Sequence, residues 1–458
     1  MHIRRFDSGY SRRHFLAQMA RGVLATGVLM PLWPTIAARG SIEGVYPEEL
    51  LSLEAYTRGE LGAGDRIDAA NVERVKDLLD PIIYTQIAQM GRVLTIRPST
   101  TDIMQLSPWE YIEATLRNQG LATFAEDGNV VTREGKPWIG GNPFPDPRSA
   151  IEVFAAITLS WGRHDVSLNP VREYDLNEQG EVAYEYQSCW VEMSPVGRLV
   201  MDPRPYLPGH EDKLRYQSVF FVSPNDIRGT SYLNIWHYDQ NRYPDLYGYL
   251  PSFKRVRRFP TNQRFEPLIP GSTLYLSDAW AAGDPFLTWG NYRMIHRGPA
   301  LAAVSHSWNA EADNWEHGVH GGQQGITFWD TEVELVPEAI VVEAEPTGYP
   351  RAPISKKRVW FDARTLLPLS MVSFDRRGEI YRSFDGAYSV YERGDKRVMD
   401  GAHPYWSWTR VHAHDIQTNR ITRLAQVAEI DGGYRMQVNE PGVYERFLTR
   451  TALRRLGT

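Results

Sequence analysis

From residue 41 to about 125 the apolar positions recur mainly at helical spacing. Pro47-Glu48-Glu49-Leu50-Leu51 places a proline and two acids where a first turn favours them. Val72, Val75, Leu78 and Leu79 carry the pattern forward, Pro81 interrupts it, and Ile82, Ile83, Ile87 and Met90 resume it. Ser107-Pro108-Trp109-Glu110 predicts a helix start with Ser107 as the cap, running to about Asn118 and stopped by Gly120. Residues 127–149 read as a loop-rich joint, because Gly140, Gly141, Pro143, Pro145 and Pro147 exclude both helix and central strand. Ser149 to Ser160 returns to helix, with Ile151, Phe154, Ala155 and Leu159 on its apolar side.

From about residue 170 the period changes to two. Val182, Tyr184, Tyr186 and Trp190 alternate with Ala183, Glu185 and Gln187. Leu214 to Val222, Tyr232 to Tyr238 and Val359 to Asp362 also read as strands. Leu369 to Phe374 and Glu379 to Phe384 flank the turn Asp375-Arg376-Arg377-Gly378, a hairpin signal. Leu424 to Ile430 and Tyr434 to Val438 flank another at Asp431-Gly432-Gly433, and Thr449 to Leu456 is a short basic helix. Strands joined by hairpins predict an antiparallel sheet. The chain shows no fixed-period repeat. It divides into a leader (1–38), a helical and loop segment (39–168) and a β domain (169–458).

The leader reading rests on charge and length. Arg4, Arg5, Arg12, Arg13 and Arg21 precede a 12-residue apolar run, Gly22 to Trp33, and then Thr35-Ile36-Ala37-Ala38. This is the order of a signal peptide, and the run is short of the roughly 20 residues a spanning helix needs. Ser11-Arg12-Arg13-His14-Phe15-Leu16 resembles the twin-arginine export signal, with Arg12 and Arg13 as the pair. A periplasmic location follows as the expectation, with no transmembrane span in the mature chain. Net charge is −6 for the whole chain and about −10 without residues 1–38, which disfavours nucleic acid as a partner. The single cysteine, Cys189, excludes an internal disulfide and reads as a core residue.

Catalytic motifs are missing: no nucleophile elbow, no phosphate loop and no zinc-protease helix. Catalytic residues and cofactors are therefore expected to be none. The histidines supply an alternative, because His317 with His320 and His412 with His414 have spacings that metal sites use. Asp278 and Asp284 flank the aromatic loop around Trp280 and read as turn residues. Lys254-Arg255-Val256-Arg257-Arg258 is the sharpest charge cluster. It reads either as an anion contact or as a strand rim paired to Asp239, Asp245 or Glu266.

Several segments together resemble the bacterial cell-envelope family called domain of unknown function 1329 (DUF1329). They are the joint Gly140-Gly141-Asn142-Pro143-Phe144-Pro145-Asp146-Pro147, the hairpin from Lys357 through Asp362 to Glu379, and the ending from Leu448 to Gly457. The resemblance spans roughly residues 45 to 457. The middle is also similar to outer-membrane lipoprotein-sorting proteins of the LolA/LolB type, at Asp226 to Thr230, Tyr249 to Arg258, and Gly271-Ser272 with Asp278. The resemblance implies an α+β fold: a large curved antiparallel half-barrel with an N-terminal helical segment packed on it. It further implies non-catalytic binding or carriage of an acyl chain, lipid or other lipophile. The expected ligand contacts are the aromatics Trp190, Phe220, Trp236, Tyr249, Trp280 and Trp360, with Arg255 and Arg257 at the rim. An envelope transporter or outer-membrane protein is the expected partner. The chain is more than twice the length of the sorting carriers, so a structural accessory of such a transporter, or an exported metalloenzyme using the histidines, stands beside that reading.

Overall fold

The computed structural model describes residues 32–33, 40–260, 264–267, 269–278 and 284–457. The N-terminal segment contributes β1 (Arg66–Ile67) and β2 (Leu94–Ile96), and helices α1 (Leu53–Tyr56), α2 (Pro81–Met90), α3 (Trp109–Asn118) and α4 (Ala150–Ser160). Then follow β3 (Val166–Leu176), β4 (Val182–Met193), β5 (Lys213–Ser223), β6 (Ser231–His237), β7 (Asp245–Leu250) and β8 (Arg255–Phe259). The second half supplies β9 (Gly290–Ala302), β10 (Thr331–Glu345), β11 (Ile354–Asp362), β12 (Pro368–Asp375) and β13 (Ile380–Val390). It ends with β14 (Trp406–Asp415), β15 (Arg420–Gln426), β16 (Gln437–Val438), α5 (Val443–Phe447) and α6 (Arg450–Leu456).

Among the described residues these sixteen strands form one sheet. Its order is β1-β2-β10-β11-β12-β13-β14-β15-β3-β4-β5-β6-β7-β8, with β9 also on β10 and β16 also on β3. Pairing is antiparallel except between β2 and β10. The ends, β1 and β8, do not meet, so the sheet is open.

The sheet is curved, and one helix shows it. Phe154 of α4 packs edge-on to Phe361 of β11 at 5.5 Å, while the Thr158 carbonyl accepts a long hydrogen bond from Arg215 of β5 at 3.5 Å. Flat, β11 and β5 would stand seven strand spacings apart, about 33 Å. Phe154 and Thr158 are separated by a rise of about 6 Å. The strands between them therefore wrap around α4.

Helix α4 is nearly apolar throughout, burying Ala150, Val153, Phe154, Ala155, Ala156 and Ile157. It starts cleanly because Ser149 and Glu152 form a reciprocal cap, the Ser149 hydroxyl accepting from Glu152 N at 3.4 Å and the Glu152 carboxylate from Ser149 N at 3.2 Å. Trp138, Phe265, Phe286, Trp289 and Tyr349 join it inside the concave face. On the outer face, α5 and α6 cover β4 to β7 through Phe447, Leu448 and Leu453. The N-terminal segment covers β10 to β12 through Ile82, Ile103 and Ile112. Leu32 and Trp33, inside the stretch read as a leader, are buried in that outer cluster. Arg12 and Arg13 lie outside the described residues.

Two sequence readings need correction. Residues 41–125 are less helical than their periodicity implies: residues 72–78 form a 3-10 helix and Leu94–Ile96 joins the main sheet. Three residues are too few for a period-two signal to register. At α3 the cap is Pro108, without a side-chain hydrogen bond. Ser107 instead has its hydroxyl oxygen engaged by the buried Arg163 guanidinium. The Gly-Pro joint has a steric reason. Gly141 sits at φ 77°, and a Cβ there would lie 2.5 Å from Thr115 N, so the joint passes directly against α3.

Candidate functional site

The concave wall of β4, β5 and β6 presents Trp190, Glu192, Arg215, Gln217, Asn234 and Trp236 toward α4. Alternation along each strand puts these residues on one side and Cys189, Val191, Tyr216 and Leu233 on the other, under α5 and α6. The Glu192 carboxylate accepts from Trp161 Nε1 at 3.1 Å and Gln217 Nε2 at 2.7 Å. Burial raises its pKa, with Arg215 opposing. The Arg215 guanidinium lies 4.6 Å from the Trp236 ring centroid, and burial pushes its pKa down to about 10. Arg215 Nε and one terminal nitrogen, both polar atoms of Asn234 and Trp236 Nε1 are buried with no hydrogen-bond partner among the described residues.

Further along the concavity two buried arginines are paired with carboxylates. Arg264 bonds Asp284, which also accepts from Trp289 Nε1 at 2.9 Å. Lys357 of β11 lies 3.8 Å from the Trp289 centroid, and burial pushes its ammonium down to about 8 despite Asp284 and Asp278. Asp278 receives two bonds from Arg382, both 2.9 Å, as well as Tyr275 N at 2.9 Å. Asp278 and Asp284 are thus partners of buried arginines as well as turn residues. The pairings join residues 104 and 20 positions apart, so sequence spacing carried no sign of them. Glu173 and Asp175 form a buried acid pair. Burial raises both, and Glu173 raises Asp175 further.

The expected ligand residues separate. Trp190 and Trp236 share the concave side, and Trp190 lies 5.9 Å from Trp408. Phe220 points the other way, stacked on Phe447 at 5.5 Å. Tyr249 packs outward against Gly457. Trp360 lies in the outer cluster beneath the N-terminal segment. Arg255 and Arg257 are exposed on the edge strand β8. Trp280 lies outside the described residues. Relative parity along a strand is legible in sequence; which parity faces inward is not. Arg215, Gln217 and Asn234 escaped notice because polar residues inside a curved sheet look like an exposed face.

The histidines form a different assembly, on the outer face between α2 and β13–β15. Arg92 pairs in two-pronged fashion with Asp385 at 3.0 and 2.7 Å and donates to Gln86 Oε1 at 2.6 Å. Gln86 in turn bonds His414 Nδ1 at 3.1 Å. His412 meets Asp385 at 3.2 Å through Nδ1, and its Nε2 accepts Trp329 N at 2.9 Å. His320 Nε2 accepts Val93 N at 2.8 Å while Nδ1 bonds Asp330 at 2.9 Å. His317 Nδ1 faces Arg410 at 3.4 Å. Burial pushes His412 and His414 down to about 4. Burial alone would raise Asp385, but Arg92 and His412 hold it well below the usual carboxylate range. Among the described residues no three His, Cys, Asp or Glu side chains are grouped as a metal site. His414 Nδ1 and His320 Nε2 fasten the N-terminal segment to the sheet side through Gln86 and Val93. Beside His414 opens a cleft of about 810 Å³, whose lining includes the amides Gln86, Gln89, Asn177, Gln323 and Asn419. No described helix is long and apolar enough to cross a membrane.

The model of the DUF1329 family, described as a protein of unknown function, matches residues 66–454. No curated protein matches the chain. Among solved structures, a DUF1329 family protein from Desulfovibrio piger is 14% identical, covering 66% of this chain and 97% of that one with a TM-score of 0.44. A domain named for outer membrane lipoprotein sorting, from Vibrio parahaemolyticus, is 16% identical over 63% and 91%, with a TM-score of 0.40. A LolA superfamily protein from Nitrosomonas europaea is 13% identical over 67% and 100%, with a TM-score of 0.36.

Proposed function

The chain belongs to the DUF1329 family, and we propose that it is a non-catalytic periplasmic binding or carrier protein for a lipophilic molecule. The ligand is an acyl chain or lipid, the export route is the twin-arginine pathway, and the protein serves an envelope transport system. The observation that carries the reading is the concave wall of β4–β6. There Arg215, Asn234 and Trp236 hold buried polar atoms without hydrogen-bond partners, beside aromatic rings and opposite an apolar helix. Each such atom costs about 1–3 kcal/mol if left unpaired. A permanent core has no use for that cost, whereas a bound headgroup repays it. In this reading α4 is a plug. The tail of the ligand takes the space of Val153, Phe154 and Ile157, and its head meets Arg215, Asn234 and the Trp236 indole. The segments flanking α4 suit a displaced element, since Gly140 and Gly141 precede it and Gly162 follows it, all at positive φ.

The test is purification from periplasm, solvent extraction and mass spectrometry of the extract, followed by uptake of a fluorescent fatty acid. Co-purifying lipophile and saturable uptake, weakened in Arg215→Met, are expected. A clean extract together with no uptake would overturn the proposal.

A further inference from the structure

The sheet ends at β8, and this end is basic. From residue 246 to 265 the chain carries Lys254, Arg255, Arg257, Arg258 and Arg264 and no acid. Arg264 is buried, while Lys254, Arg255, Arg257 and Arg258 are exposed. Helix α6 packs against β6, β7 and β8 through the buried Ala452 and Leu453, and brings exposed Arg450, Arg454 and Arg455 to the same end. Two of these seven exposed cations have their charge partly used: Arg258 pairs with Asp245, and Arg455 donates to the Glu445 and Arg446 carbonyls. Lys254, Arg255 and Arg454 make no ion pair among the described residues. At the tip of the β7–β8 hairpin Phe253 is 50% exposed, with the Arg257 guanidinium 4.1 Å from its ring centroid.

We propose that this hairpin tip and α6 together dock the protein on an anionic lipid surface. The charge pattern is complementary to phosphate headgroups and contrasts with the acidic remainder of the chain. An aromatic ring at a protruding tip, flanked by long cationic side chains, is suited to the bilayer interface, where the ring enters and the charges stay at headgroup level. A protein partner is less well matched. The residues of β8 that face outward are mostly charged, which blocks addition of a further strand, and Phe253 stands out from the surface. This inference goes beyond lipophile binding and does not depend on the concave site.

The experiment is co-sedimentation of the mature chain with phosphatidylcholine vesicles, with and without phosphatidylglycerol, at low and high salt. Binding that requires phosphatidylglycerol and falls with salt is expected. Each neutralised cation weakens it about fivefold, so Arg255→Glu with Arg257→Glu abolishes it, Phe253→Ser weakens it, and Arg351→Glu with Arg377→Glu, on the β10–β11 and β12–β13 loops, leaves it unchanged. All three sets of side chains are exposed, and an unchanged melting temperature confirms that each variant folds. No phosphatidylglycerol-dependent binding, or full binding by the β8 double variant, would overturn the proposal. Fatty-acid uptake measured on the same variants separates failure of docking from failure of the carrier reading.

Discussion

His412 and His414 make the fold acid-sensitive in a way that can be isolated. Both rings are buried on β14, and burial pushes their pKa values down to about 4. In the unfolded chain a histidine titrates near 6.5. Between those values the unfolded chain takes up a proton that the folded chain refuses. Stability is therefore fully present above pH 6.5, falls as pH drops, and stops falling from this cause below about 4. Each ring contributes about 1.4 kcal/mol per pH unit across the window, or about 3 kcal/mol in total. Other groups act in the opposite direction. Burial raises Asp80 to about 6 and Glu173 to about 7, and a raised carboxyl gains stability on acidification. The wild-type slope is a sum of opposed contributions, so the difference between wild type and variant is what must be measured. His412→Gln keeps a neutral hydrogen-bonding group beside Asp385 and removes the titration. Urea unfolding from pH 7 to 4 is expected to show wild type losing about 1 kcal/mol or more per pH unit relative to His412→Gln. Parallel stability curves for the two proteins would refute the assignment of a buried neutral ring.

Three further outcomes follow from other parts of the molecule. Asp284→Asn leaves the buried Arg264 without its paired carboxylate, removes one of the two carboxylate charges that support Lys357, and is expected to cost about 3–5 kcal/mol in urea unfolding. Gly141→Ala forces a side chain into φ 77° and against the α3 backbone, so a lower melting temperature is expected, with a loss of at least about 1 kcal/mol. Replacing Arg12 and Arg13 by Lys is expected to leave the protein in the cytoplasm, read by fractionation and immunoblot; normal periplasmic accumulation would contradict the export reading.

The β strands were legible because alternation survives where one face is covered. Val182 to Trp190 and Tyr232 to Tyr238 lie close to the observed β4 and β6. The turn at Asp375 to Gly378 was legible for a local reason: Asp375 Oδ1 accepts from Arg377 N at 2.8 Å and Glu379 N at 3.0 Å, which fixes the hairpin within five residues. The β14–β15 hairpin escaped because its strands are rich in Arg, His and Thr, residues that look solvent-facing until α2 is laid over them. The site was less legible still. Trp236 and Phe220 look equivalent in the chain, yet one faces α4 and the other faces Phe447. His412 and His414, two residues apart, share one side of β14, as their spacing on a strand requires. Their partners Asp385, Gln86 and Arg92 come from remote segments, and no local pattern announces them.

The proposed plug also sets a lower limit on what the proposed carrier can bind. Val153, Phe154 and Ile157 are fully or almost fully buried in the concave face. At about 1.5–3 kcal/mol for each buried side chain, lifting them into water costs about 5–9 kcal/mol. A ligand tail recovers about 0.8 kcal/mol for each methylene it buries. About six to eleven methylenes are needed to break even, before the ordering of the tail is counted. Pairing of Arg215, Asn234 and Trp236 with a headgroup lowers that threshold, and the motion of α4 raises it. Affinity should therefore rise steeply with chain length: octanoate fails to displace a fluorescent fatty acid, and palmitate displaces it. Equal displacement by both acids would mean that the tail does not compete with the helix, and that the ligand sits outside the concave core.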